Sequence, residues 1–265
     1  MKRVLSILAS ILCVLSASAQ TFEVYKNDTL VASYVNDGTN HYKVIVKETP
    51  AKPAGPVKAE DGCYIIDGHH FVDLGLPSGL LWAETNVGAD EYAEPGDYFA
   101  YGETSPKSTY YGSNYKYNGS TPDSTKYCDA DGKMYLDPED DAAYVNWGPS
   151  CRTPKDTEFD ELANNCTMAW TPAVSSDNAT CSVGYRFTSK INNKSIYLPA
   201  SGHWYMSALQ NVRYGYYLTS TRCSGDIYAY IYYLLECGTG WGNLDEPRSA
   251  GSTLRPVATL PSVSE

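Results

Sequence analysis

The sequence predicts an α+β domain in which two short helices sit among twisted, loop-rich strands. Three observations carry this expectation. Two segments have the chemistry of helix starts, Asp137-Pro138-Glu139-Asp140 and Thr153-Pro154-Lys155-Asp156. The residues around them are rich in Gly, Tyr, Ser and Thr with short apolar runs, a composition of strands and loops. Nearer the start, Tyr42, Val44 and Val46 alternate with Lys43, Ile45 and Lys47, the period of a strand with one apolar face.

In chain order, Lys2 and Arg3 precede an apolar run of twelve residues, Val4 to Leu15, and then Ser16-Ala17-Ser18-Ala19. A basic start, a short apolar stretch and small residues at −3 and −1 of a cut before Gln20 describe a cleaved signal peptide over 1–19. The run is too short for a permanent membrane span, which takes about 20 residues. Cys13 follows the bulky Ile11-Leu12, so no lipid anchor is expected there. The mature chain is therefore expected outside the cytoplasm, secreted or in the cell envelope, with no transmembrane segment.

Residues 20–47 read as a small β module: Phe22 to Tyr25, a turn at Asn27-Asp28, Leu30 to Tyr34, a turn at Asn36-Asp37-Gly38, then Tyr42 to Lys47. Pro50, Pro53, Gly55 and Pro56 mark 48–62 as a stiff linker. The main domain is expected over 63–257, with a tail over 258–265. Its first helix start has an N-cap acid at Asp137 and proline at the first helical position. The second leads into an apolar stripe of Phe159, Leu162 and Ala163.

After loss of Lys2 and Arg3, 18 basic residues face 31 acidic ones, a net charge of −13. Phosphate backbones and anionic lipid surfaces repel such a chain, so no nucleic-acid partner is expected. Seven cysteines remain, with no C-x-x-C pair to suggest a zinc ribbon or a thioredoxin-type site. Their connectivity is not legible; Cys128 with Cys166 is the favoured pair.

Candidate chemistry is thin. Asp137, Glu139, Asp140 and Asp141 invite calcium, yet acids at a helix start are better explained by the helix dipole and free amides. Gly75-Leu76-Pro77-Ser78-Gly79 misses the nucleophile-elbow spacing by one place. Ser113-x-x-Lys116 and Ser176-Asp177-Asn178 match two of three elements of a penicilloyl-serine site, without the third. His69 and His70, adjacent in a strand, point to opposite faces. No cofactor and no metal ligands are expected. The aromatics are distinctive: 24 Tyr against 5 Phe and 5 Trp, with nine tyrosines between Tyr197 and Tyr233. Tyrosine joins a rigid apolar ring to a polar handle, which suits recognition surfaces.

Seven blocks follow in order: His69 to Ala83, Asn86-Val87-Gly88-Ala89, Gly96 to Thr104, Leu136 to Ala143, Trp147-Gly148, Cys151 to Phe159 and Leu254-Arg255-Pro256-Val257. Together they resemble the Fibrobacter succinogenes major paralogous domain family of secreted bacterial proteins. That family is similar to the C-type-lectin-like superfamily, which also holds the formylglycine-generating enzymes. Arg152-Thr153-Pro154 with Glu158-Phe159 is similar to a segment shared across the group. The resemblance implies a C-type-lectin-like fold, a small helix pair on twisted sheets. It also raises an enzyme alternative, because formylglycine-generating enzymes use a C-terminal cysteine pair. The surroundings of Cys223 and Cys237 do not match theirs, so no catalytic residue is assigned. A structural or adhesin subunit of the cell surface is a third reading.

The favoured expectation is a non-catalytic domain that binds a glycan or protein outside the cell. In the superfamily fold, loops between the C-terminal strands share one face. With strands expected at 215–220 and 229–235, three loops remain. Loop 201–214 offers Trp204, Tyr205, Arg213 and Tyr214; loop 221–228 offers Arg222, Asp226 and Tyr228; loop 237–248 offers Trp241, Asn243 and Asp245. Trp204, Tyr205 and Trp241 are expected to be exposed.

Overall fold

The computed structural model describes residues 21–26, 29–36, 42–45, 57–59, 62–117, 126–174, 181–223, 227–236 and 241–260; for the first three segments, 173–174 and 181–182 it describes the backbone alone. The expected signal peptide at 1–19, the Ser176-Asp177-Asn178 match, Asp226 and Cys237 lie outside these residues. The chain divides into two units, Met1–Lys52 and Pro53–Glu265. In the first, β1 (Thr21–Lys26), β2 (Thr29–Asn36) and β3 (Tyr42–Ile45) form an antiparallel meander, matching the three expected strands.

The second unit is mostly β-sheet with two short helices. In chain order come β4 (Val57–Lys58), β5 (Tyr64–Ile66), β6 (His69–Asp73), β7 (Leu80–Ala83) and β8 (Tyr98–Phe99). Helix α1 (Ala142–Trp147), β9 (Cys151–Arg152) and helix α2 (Asp156–Asn165) follow. Next are β10 (Cys166–Val174), β11 (Cys181–Ser189), β12 (Ser195–Pro199), β13 (His203–Tyr205) and β14 (Ala208–Gln210). The chain closes with β15 (Gly215–Arg222), β16 (Tyr228–Leu234), β17 (Trp241–Pro247), β18 (Ser252–Thr253) and β19 (Val257–Thr259). One sheet runs β4-β5-β6-β7-β19-β9 and another β17-β16-β15-β18-β8. β10-β11-β12 make a third, and β13-β14 a hairpin.

Two expected boundaries move. Val57 and Lys58 pair with Ile65 and Tyr64, so the linker drawn over 48–62 ends before 57. Ala258 is buried and pairs with Leu81, so the tail expected from 258 begins after this strand. Both ends of the segment are held by sheet hydrogen bonds that composition does not reveal.

The helix starts are shifted. Asp137 to Asp140 makes a single 3₁₀ turn in which Asp137 gives no side-chain cap. The cap of α1 is Asp141, whose carboxylate accepts from the amides of Ala143 (2.9 Å) and Tyr144 (3.3 Å). It also takes the Thr153 amide and hydroxyl, the latter at 2.6 Å, tying the two helix starts together. At α2, Glu158 reaches back to the Lys155 amide at 2.8 Å. The α2 stripe is as expected: Phe159, Leu162 and Ala163 are buried, with Phe159 stacked 4.5 Å from Tyr232 and edge-on to Trp82.

The blocks that carry the family resemblance form the fixed polar joints of this fold. Arg255 is fully buried; its guanidinium donates to Asn86 Oδ1 (2.7 Å) and to the carbonyls of Ala83, Glu84 and Tyr197. Arg152 makes a two-pronged pair with Glu158, at 2.6 and 2.7 Å. Gly96 has φ +69°, and a Cβ there would sit 2.3 Å from the Val87 carbonyl oxygen.

Among the described residues no helix is long and apolar enough to cross a membrane. Cys166 is a buried free thiol, so the favoured Cys128–Cys166 disulfide is absent. Burial raises the Cys166 thiol to about 11 and, with Asp67 and Asp141 nearby, Cys151 to about 12. Both are structural thiols rather than reactive ones.

Candidate functional site

The five-stranded sheet sorts the expected ligand residues onto two faces. Cross-strand partners share a face, and side chains alternate along each strand. Tyr216 lies opposite Tyr233, which lies opposite Gly242; Tyr217 lies opposite Tyr232, which lies opposite Asn243. Tyr217 and Tyr232 point into the core against Phe159 of α2. Tyr216 and Tyr233 point the other way.

On this outer face the rings form a ladder. His203 stacks on Tyr205 (centroids 6.4 Å, interplanar angle 19°) and on Tyr216 (4.2 Å, 15°). Tyr216 meets Tyr233 edge-on at 5.3 Å, and Tyr233 meets Tyr214 at 6.0 Å. Tyr205, Tyr214 and Tyr233 are half-buried, while His203 and Tyr216 lie beneath them. Glu246, also buried, sits 2.9 Å from His203 Nδ1. Exposed Asn211 donates from Nδ2 to the Tyr216 hydroxyl at 3.0 Å. Leu209, Val212 and Leu244 add exposed apolar surface.

Burial is the first cause of the upward shift of Tyr216, to about 12, and of Tyr233. Both hydroxyls stay protonated at neutral pH and serve as donors or acceptors, not as anions. The hairpin carrying His203 and Tyr205 turns through Met206 at φ +57°, a conformation unusual for a bulky residue. Gly202, at φ +63°, lets the chain pass the Gln210 carbonyl, which a Cβ would meet at 2.3 Å.

Of the expected residues, Tyr205 and Tyr214 belong to this ladder, and Arg213 stands beside it, paired with Glu236. Trp204 does not. It alternates with its neighbours onto the opposite side and packs against the core near Tyr110, with its amide bonded to the Gly251 carbonyl. Its expected exposure is corrected to partial burial.

Arg222 is likewise no loop residue: it is buried in β15 and pairs with Asp129 at 2.7 Å. Tyr228 is exposed at the start of β16.

The expected loop 237–248 contains a strand, β17. Its Trp241, Asn243 and Asp245 face the α2 side, away from the ladder. Trp241, 46% exposed, lies 6.4 Å from Tyr232. Asn243 bonds Asp160 of α2, and Asp245 Oδ1 accepts from the Cys223 thiol at 3.1 Å. Sequence reasoning missed His203, Asn211, Tyr216, Tyr233 and Glu246. The i, i+2 pairs His203/Tyr205 and Tyr214/Tyr216 were the available signal.

Among the described residues, the other candidate clusters are occupied or closed. Asp137, Glu139 and Asp140 lie close enough to hold an ion, but the Lys126 ammonium already bonds all three. A cleft of about 250 Å³ beside α1 is lined by Leu136, Tyr144 and Arg152, and its acid Asp141 is held by the amides of Ala143, Tyr144 and Thr153 and by the Thr153 hydroxyl. Ser78 is held by Glu161 at 2.6 Å, and Lys116 by Asp140 at 2.6 Å.

No family model, no curated protein and no solved structure matches this chain.

Proposed function

We propose that this chain is an exported, non-catalytic recognition domain of C-type-lectin-like kind, whose ligand docks on the ladder of Tyr205, His203, Tyr216, Tyr233 and Tyr214. The carrying observation is the ladder itself: five rings in mutual contact on one side of a rigid sheet, three of them half-open to solvent. Such a surface supplies flat apolar area at low entropic cost, and Asn211 and Arg213 supply polar contacts at its edge. Glycans and protein patches both use these features.

Support for the non-catalytic reading comes from Cys223, which is 2% exposed with its thiol held by Asp245. Support for the family reading comes from its blocks, which meet as Arg255–Asn86 and Arg152–Glu158 joints. Glycan and protein arrays probed with the chain from Gln20 onward test the reading. Binding weakened by Tyr214→Ala and by Tyr233→Ala, in folded protein, is the expected result. Binding unaffected by both places the ligand elsewhere, and turnover of a cysteine-containing sulfatase peptide would replace the reading with an enzyme.

A further inference from the structure

We infer that the outward edge of Asn211 is a proton-controlled switch, offering a hydrogen-bond acceptor while His203 is neutral and a donor once His203 is protonated. The ligand site it would regulate rests on the reading above; the switch itself rests on the buried hydrogen bonds.

With Glu246 ionised, the neutral imidazole of His203 has one arrangement of protons. Glu246 Oε1, 2.9 Å from Nδ1, is a carboxylate oxygen that accepts, so Nδ1 carries the proton. Nε2 lies 3.4 Å from Asn211 Nδ2. That amide nitrogen only donates, so Nε2 presents its lone pair. The other Asn211 Nδ2 proton goes to the Tyr216 hydroxyl at 3.0 Å. Both inward contacts of Asn211 therefore run through Nδ2. Oδ1 is the end turned outward, on a residue exposed to solvent.

The groups facing the imidazole are Glu246 from β17, Asn211 from the turn, Tyr216 from β15 and Tyr205 from its own strand. Tyr233 and Tyr214 stand behind Tyr216, and Arg213 is turned to Glu236. Among the described residues Glu246 is the one acid against the ring, so a second proton, taken from solvent onto Nε2, completes an ion pair at Nδ1. It also places an N–H against an N–H donor. Rotating the side-chain amide by half a turn resolves the clash. Oδ1 then accepts from Nε2–H, and the Tyr216 hydroxyl rotates to donate to the same oxygen. Every inward bond is kept with its direction reversed. The NH2 now points outward. A ligand hydroxyl or amide that donated to Asn211 loses its acceptor, and a carbonyl or carboxylate gains a donor.

Side-chain NMR of the ligand-free chain, recorded with the His203 imidazole singly and doubly protonated, decides the matter. Contacts between the Asn211 amide protons and the rings of His203 and Tyr216 should be present on the singly protonated ring and disappear as the imidazole gains its second proton. Persistence of those contacts on a doubly protonated ring overturns the switch. Asn211→Asp, on an exposed residue, offers only acceptors and has no amide to turn, so the accompanying change at the Tyr216 ring should be lost; the same change in the variant also overturns the switch. The arrays at neutral pH test the recognition reading separately, so the two can fail independently.

Discussion

The Arg255 guanidinium and the Asn86 amide, 169 residues apart in sequence, meet at 2.7 Å in a fully buried contact. Arg255 also satisfies three backbone carbonyls from two different segments, Ala83-Glu84 and Tyr197. Its burial holds the guanidinium down to about 10, still charged at neutral pH. Removing one partner of such a network leaves buried groups unsatisfied. Arg255→Ala should cost about 3–5 kcal/mol in urea unfolding, whereas Arg255→Lys should recover part of it. Equal stability of wild type and Arg255→Ala would show the network to be dispensable.

Trp204 and Trp241 should behave differently when replaced. Trp204 packs on the core beside Tyr110, so Trp204→Ala should lower stability by about 2–4 kcal/mol. Trp241 lies 46% exposed on the edge strand, and Trp241→Ala should cost under about 1 kcal/mol. Thermal melts of the two variants check the contrast.

Ladder tyrosines should show the reverse behaviour. Tyr214→Ala and Tyr233→Ala should each weaken ligand binding by about 2 kcal/mol, the scale of an interface hot spot, with little change in melting temperature. Titration of an array-identified ligand against both variants measures this.

Asp140 sets an acid limit. Its burial opposes charge, but Lys116, Lys126 and Tyr127 outweigh that and hold its carboxyl well below the usual range. A depressed folded value means that the stabilisation is complete above the unfolded carboxylate range and is lost as pH falls below about 4. Urea midpoints should decline over that window, less steeply in Asp140→Asn. Because Lys126 fills the acidic cluster, calcium or a chelator should leave the melting temperature unchanged.

Cys166 should resist alkylation in the native protein and react after unfolding. Its thiol is raised to about 11 by burial, leaving almost no thiolate at neutral pH. Rapid native labelling, read by peptide mass spectrometry, would contradict the structural assignment.

Some elements were legible because local rules decide them. Phe159, Leu162 and Ala163 recur at helical spacing, and α2 buries them. Gly215 to Ser220 and Ala229 to Leu235 were readable as strands. The segment Trp241–Pro247 was not, because Gly242, Asn243, Asp245 and Pro247 are poor strand formers. It is a strand because β16 supplies partners along its whole length. Composition alone gives Trp204 and Tyr205 the same role, whereas pleating sends neighbours to opposite sides. The His203–Glu246 contact spans 43 residues, beyond the reach of any local pattern.

The two-sidedness of β15 and β16 has a consequence for how this surface can change over time. Positions 216 and 233 alternate with 217 and 232, so the proposed recognition face and the core are written on interleaved letters of the same strands. A library randomised at 205, 214, 233 and 244 would explore new binding partners while every inward neighbour keeps the scaffold intact. Randomising the same number of consecutive positions would mostly yield unfolded chains.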